Sequence, residues 1–315
     1  MQVKKIEFKR ERDFSGVFGD SLSFIKQNFK GLFGSLILIS GPFLLIMSVA
    51  LGYIKGLSAD GNIVRSLMIN GEFDLTTFYI AIGVSILFSI ITNAIMICIT
   101  FEYMVLYDTK LPGEKISISE VGRRVISSFG RVIGSILLLL LTFGIIIGVL
   151  VLAGVGIGGG LGNLGIVLLV LLFLFVILVL VPVFMYYFPA SFFLVVRDHE
   201  GVFPAQNRVW RYMKGSFWWT WLIMVVAYIC IIIFNVVFSL PATAVSVAQT
   251  FSRTQDFDIN AGGGPSILLI CMYTLSIIFS SIASCIMLII SAFNFLSHEE
   301  KHEGTGLMSR IEEIK

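Results

Sequence analysis

Charge is what this sequence has least of. Of its 315 residues only 13% are Asp, Glu, Lys or Arg, about half the share of an ordinary soluble domain. Three histidines and four cysteines complete a sparse set of reactive groups. So little charge excludes a disordered chain or a coiled coil, and four cysteines in a chain this long exclude a disulfide-stapled secreted domain. No glycine recurs at every third position, which excludes a collagen. The net charge of +2 offers nothing to a polyanion, so no nucleic-acid partner is expected. What the sequence has in excess is hydrocarbon. Hydrophobic residues make up 57% of it, against about 45–50% in soluble domains, and an integral membrane protein is expected.

A helix crosses the hydrocarbon core with about 20 apolar residues. Six uncharged runs of that length lie at roughly 32–54, 78–101, 132–153, 164–188, 217–240 and 266–296. Lipid-crossing strands would alternate polar and apolar residues, so helices are expected. The last run is long enough to tilt or to project from the bilayer. Nineteen of the 22 basic residues fall in the segment before run one, between runs two and three, between four and five, and after six; only Lys55, Arg65 and Arg253 fall in the opposite loops. Basic flanks stay cytoplasmic, which places both termini there. The first run is too long for a signal-peptide core and follows a charged arm, so it stays in the product.

A period near 100 residues relates the cytoplasmic segments. Phe18, Leu22, Ile25 and Phe29 recur at helical spacing, with Asp20, Ser23, Lys26, Gln27 and Lys30 opposite. Ile118, Val121, Val125 and Phe129 repeat the stripe beside Glu120, Arg123 and Arg124, and Ser117 with Glu120 fits a capping box. Phe29 and Phe129, and Gly34-Ser35 and Gly134-Ser135, match at an offset of 100. In the third segment Gly201-Val202-Phe203 repeats Gly16-Val17-Phe18, and Trp210, Met213 and Phe217 form an apolar face beside Arg208, Arg211 and Lys214. The expected fold is therefore an all-α polytopic membrane protein: six transmembrane helices as three hairpins, each preceded by a cytoplasmic amphipathic interfacial helix. The units run 1–101, 102–189 and 190–296, with a cytoplasmic tail 297–315. The collar they form would dock lipid headgroups or a partner through Lys26, Lys30, Arg123, Arg124, Arg131, Arg208, Arg211 and Lys214.

Several motifs point to chemistry. His298-Glu299-Glu300-Lys301-His302 satisfies H-E-x-x-H, which on a helix sets two imidazoles one turn apart to hold zinc with a Glu as base. With no following domain to wall off a cleft, a solvated helical extension is the expected reading, and no metal or other cofactor is expected. The glycine tract 154–160 contains G-x-G-x-x-G but lies between apolar runs without a strand, so a tight turn between runs three and four is expected. Cys98, Cys230, Cys271 and Cys285 lie inside runs and read as packing residues. No ionisable residue lies deep in a run, which argues against a proton-coupled pump. Asn93 and Asn235 are the intramembrane polar candidates, expected to bond a neighbouring helix. Ser276, Ser280 and Ser284 form a small-residue face expected to pack inside the bundle or against a second copy. Pro42 should bend run one, and Pro182 and Pro189 should distort run four. The outer loops 55–77 and 241–265 read as flexible connections; Asp256, Asp258 and Asn260 lack the spacing of a calcium loop.

The wording Phe14-Ser15-Gly16-Val17-Phe18-Gly19-Asp20, then Phe24-Ile25-Lys26-Gln27-Asn28-Phe29-Lys30 and Gly41-Pro42, resembles a group of bacterial inner-membrane proteins. These are similar in plan to the YciC-like proteins and to the membrane portion of glycerophosphodiester phosphodiesterases. No phosphodiesterase domain follows, so that activity is not carried over. The resemblance implies the bacterial inner membrane and a place in a complex with other membrane proteins. The expected function is a non-enzymatic scaffold or complex subunit contacting membrane lipid, other membrane proteins or a second copy. The alternatives are a transporter or lipid-handling protein with a path near Asn93 and Asn235, and a membrane zinc protease acting through His298 and His302.

Overall fold

Long apolar stretches must satisfy every backbone N–H and C=O internally, and helices do this within one segment. In a computed structural model, which describes residues 5–59, 75–111, 113–175, 178–179, 181–255 and 267–304, the chain is helical, and no strand occurs among the described residues. The helices are α1 (Phe14–Ser35), α2 (Gly41–Ala59), α3 (Leu75–Thr109), α4 (Ile118–Phe175), α5 (Val181–Arg197), α6 (Val202–Met213), α7 (Phe217–Gln255) and α8 (Ile267–Glu303). A π-helical turn, Leu36–Ser40, joins α1 to α2. Pro42, expected to bend the first run, is the second residue of α2, directly after this turn.

Among the described residues, five helical stretches are long and apolar enough to cross a membrane: Phe14–Lys55, Thr76–Thr109, Ile118–Thr142, Phe217–Gln249 and Ile267–Glu303. The fourth run, 164–188, is interrupted by residues 176–177 and 180, which lie outside the described residues. It divides between the end of α4 and α5, whose first turn holds Pro182 and whose interior holds Pro189. The tight turn expected at 154–160 is also absent, because α4 keeps helical backbone through the tract. Each glycine costs about 1 kcal/mol relative to alanine in a helix, but in an apolar setting a break would leave peptide groups unpaired. The outer connections are shorter than expected as well, since α2 runs to Ala59 and α7 to Gln255. Residues 60–74 and 256–266, with the acidic and glycine-rich stretch of the second loop, lie outside the described residues.

A straight helix from Ile118 to Phe175 would be about 87 Å long. Ser128 bonds Glu102, Phe101 stacks edge-on against Phe193 at 5.4 Å, and from Phe193 back to Leu178 is only about 23 Å of helix. Leu178 in turn accepts the Trp221 indole N–H at 2.8 Å. The end of α4 therefore lies well inside the roughly 70 Å that a straight run from Ser128 would cover, and α4 is bent.

The chain divides into two compact units. The first comprises Met1–Leu32, Ile97–Tyr228 and Ile286–Lys315; the second comprises Phe33–Met96 and Ile229–Cys285. Inside the second, Leu44, Met47 and Ile277 form a buried cluster with Leu51, Phe88 and Ile278 packed on it. A Cβ at Gly52 would stand 2.8 Å from Thr274 Oγ1 and 3.0 Å from the Ile270 carbonyl, so glycine allows α2 to approach α8 closely there.

The first unit contains a threefold pattern. In each of α1, α4 and α6 the amide four residues on bonds the carbonyl of the residue before the helix: Val17 to Asp13, Val121 to Ser117 and Ala205 to Gly201. The same spacing then repeats in burial. Val17, Ser21 and Phe24, then Val121, Val125 and Ser128, then Ala205, Val209 and Tyr212 face inward. The offsets are set by these caps rather than by the 100-residue match, and Phe29 is 56% exposed instead of lying in a buried stripe. Two of the three segments also differ from the expected form, since α1 and α4 run on into apolar helix, whereas α6 ends before α7 begins.

Candidate functional site

Helix ends carry unpaired backbone groups and partial charges, and the first unit gathers several of them. The Asp13 carboxylate accepts the Gly16 N–H at 2.8 Å and the Ser15 hydroxyl at 2.9 Å, capping α1. The Gly16 bond in particular holds the Asp13 carboxyl below its usual range. At the far end of α3, Lys5 donates to the carbonyls of Asp108 and Lys110, each at 2.7 Å, where a cation complements the helix dipole. Lys110 reaches Glu120 at 2.7 Å, tying that end to the first turn of α4. The capping box at α4 is half formed: Glu120 accepts the Ser117 backbone N–H, while the Ser117 hydroxyl bonds Ser119 at 3.0 Å.

Arg12 has a side chain only 1% exposed. Its guanidinium pairs with Asp20 at 2.7 Å, donates to the carbonyls of Glu7, Phe8 and Arg10, and lies over the Phe293 ring. Its backbone N–H donates to the Ser297 hydroxyl at 2.8 Å, which donates back to the Arg12 carbonyl at 3.2 Å. Burial lowers the Arg12 pKa, and Asp20 opposes that shift. Sequence reading passed over this residue because a single arginine in a charged arm carries no pattern.

A second network surrounds Glu299. Arg197 grips its carboxylate with two bonds of 2.6 Å, and Arg208 adds one of 2.7 Å. Arg208 also contacts Asp198, Glu200 and Glu303, and Tyr212 donates to Glu303. Burial works against the Asp198 charge, but Arg197 and Arg208 outweigh it and hold the carboxyl below its usual range. Tyr212 is pushed up, by burial first and by its bond to Glu303 second. His199, between Asp198 and Glu200, takes φ of 58°, a left-handed conformation that turns the chain from α5 into α6.

The H-E-x-x-H residues are therefore committed to the fold. His298 Nε2 bonds the Thr220 hydroxyl at 2.8 Å, and its ring meets Tyr186 edge-on. His302 stacks on Tyr212 with its Nε2 3.3 Å from the Tyr212 carbonyl. A helical extension does carry the motif, and it is solvated on one side only: Lys301, His302 and Glu303 are exposed, whereas His298 and Glu300 are 4% and 5% exposed. Among the described residues no group of three potential ligands is placed to hold a metal.

The other candidates scatter. Lys26, Lys30, Arg123, Arg211 and Lys214 are exposed, Arg124 and Arg131 are half-buried, and Arg124 stands 3.8 Å from the buried Glu102. Arg208 is not a free docking cation, because four carboxylates hold it. Asn93 is exposed and bonds Ser89 of its own helix rather than a neighbour. Asn235 is half-buried, and its Oδ1 has no hydrogen-bond partner. Ser284 is exposed, Ser276 and Ser280 are half-buried, and the inward small positions of α8 are Ala283, Cys285 and Ser291. Cys98 and Cys285 are buried, whereas Cys230 and Cys271 are exposed. Apolar side chains on lipid-facing helix surfaces need no partner within the protein.

The chain matches no family model, and neither a curated protein nor a solved structure matches it.

Proposed function

We propose that this chain is a six-crossing membrane protein with both termini cytoplasmic, acting without catalysis as a scaffold or subunit of a larger bacterial inner-membrane assembly. One observation carries the topology. Among the described residues, the 16 basic residues assigned to the cytoplasm fall in the first compact unit, and Lys55 and Arg253, assigned outside, fall in the second. This grouping of the bases supports the reading. The bonds from residues 5–12 to the end of α3 and to α8 bring the early chain and the end of α8 to one place, as an even number of crossings requires. The bend of α4 supplies the remaining pair.

The non-catalytic reading is supported by the commitments of Glu299, His298 and His302 to protein partners. The subunit reading comes from the resemblance of residues 14–42 to inner-membrane proteins that occur in complexes. Cysteines introduced at the exposed Ser23 and Asn207, crosslinked in native membranes, should give discrete products larger than the monomer, and the same sites should react with an impermeant maleimide only from the cytoplasmic side. A lone monomer after crosslinking would remove the subunit reading. Labelling from the opposite side would remove the topology.

A further inference from the structure

The threefold register that buries one face of α1, α4 and α6 also fixes what each turns outward. Nine residues after each cap stands a large exposed apolar side chain: Leu22 at 57%, Ile126 at 80% and Trp210 at 49% exposure. On the same outward arc, within about a turn, stands an exposed base: Lys26, Arg123 and Lys214 respectively. None of these three bases makes an ion pair among the described residues. By contrast, the inward-turned Arg208 of the same helix α6 is bound by four carboxylates. The buried triads prevent the helices from rolling, so the outward pairs are fixed in direction.

We infer that these three outward pairs are equivalent binding positions for anionic phospholipid headgroups, the apolar member entering the acyl boundary and the base taking the phosphate. The inference rests on the membrane-spanning reading above. Charge complementarity selects the occupant. A protein partner docking on exposed Leu22, Ile126 and Trp210 would have to desolvate the adjacent base, whereas at a bilayer surface a long cationic side chain reaches the phosphate layer while its stem covers hydrocarbon. Ile126 on α4 and Trp210 on α6 share no sequence likeness, yet they occupy the same register position. That recurrence distinguishes the pairs from scattered surface hydrophobes.

The test uses the full chain reconstituted into nanodiscs containing equal parts phosphatidylglycerol and phosphatidylcholine, with retained lipid counted by native mass spectrometry. Wild type should retain phosphatidylglycerol over phosphatidylcholine. The triple variant K26Q/R123Q/K214Q should lose most of that preference, at roughly fivefold per base. L22S/I126S/W210S should lower total retained lipid with less effect on the preference. Thermal unfolding of the glutamine variant should match wild type, since its three bases hold no partner. Equal retention of both lipids by wild type, or an undiminished preference in the glutamine variant, would overturn the inference while leaving the topology intact. Release of the protein from native membranes by alkaline wash would overturn the membrane-spanning reading instead.

Discussion

The two compact units of this chain are stabilised by different chemistry. Every ion pair among the described residues lies in the first unit, built on Arg12, Lys110, Arg124, Arg197 and Arg208. In the second unit Lys55, lying over the Tyr273 ring, is the one charged side chain described; its contacts are a Leu–Met–Ile cluster, stacked Phe238 and Phe279, and a glycine approach. Charged groups gathered together can satisfy one another through ion pairs, whereas helices almost without charge must rely on close packing. One polypeptide thus follows two stability rules, and substitutions should divide accordingly.

The largest effect is expected at Arg12. Arg12→Ala leaves Asp20 and three carbonyls without their donor and should cost about 3 kcal/mol, read as a large fall in the thermal midpoint in detergent. An unchanged midpoint would mean that the network only decorates the first unit. Glu299→Gln keeps the shape but removes the charge that two arginines bind and turns one acceptor into a donor, and a loss of about 2 kcal/mol is expected; limited proteolysis near α6 should report it first. In the second unit, Gly52→Val should cost about 1–3 kcal/mol through overpacking against Ile270 and Thr274, and the loss should not change with ionic strength. A salt-dependent loss there would break the contrast between the units.

Acid should separate the two units more gently. The folded-state pKa of Asp198 lies below its unfolded value, so its contribution is complete above the unfolded pKa of about 3.9 and is lost as pH falls through the folded value. Asp13 acts in the same direction. Hydrogen exchange should therefore accelerate at the starts of α1 and α6 below about pH 4, while α2 stays protected; equal acceleration in both would contradict the division. The smallest effect belongs to Asn93. Because it bonds its own helix at an exposed position, Asn93→Leu should change stability by less than about 0.5 kcal/mol, and a larger loss would show a partner beyond Ser89.

These contrasts indicate what a single sequence makes legible. Apolar runs are properties of long segments, averaged over many residues, and they located the five long apolar helices found among the described residues. Register is a property of a few atoms. Sequence reading aligned Phe29 with Phe129, but the caps at Asp13, Ser117 and Gly201 set the repeat one turn away, because a buried face is chosen by where the first free amide finds an acceptor. Likewise the solvated reading of H-E-x-x-H holds for the exposed His302 but not for the buried His298. Its spacing is that of any helical turn, and only the arrival of Thr220 and Tyr212 decides what the imidazoles do. The glycine tract misled because glycine permits turns without requiring them. Arg12 was illegible for a different reason: its partners include three backbone carbonyls, and carbonyls have no letter in a sequence.

The mutual bonds between Arg12 and Ser297 span 285 positions of chain. One hydroxyl on α8 thus holds both the N–H and the C=O of Arg12. Ser297→Ala removes the two bonds together, so a change in α8 is read as a loosening of backbone 285 positions away.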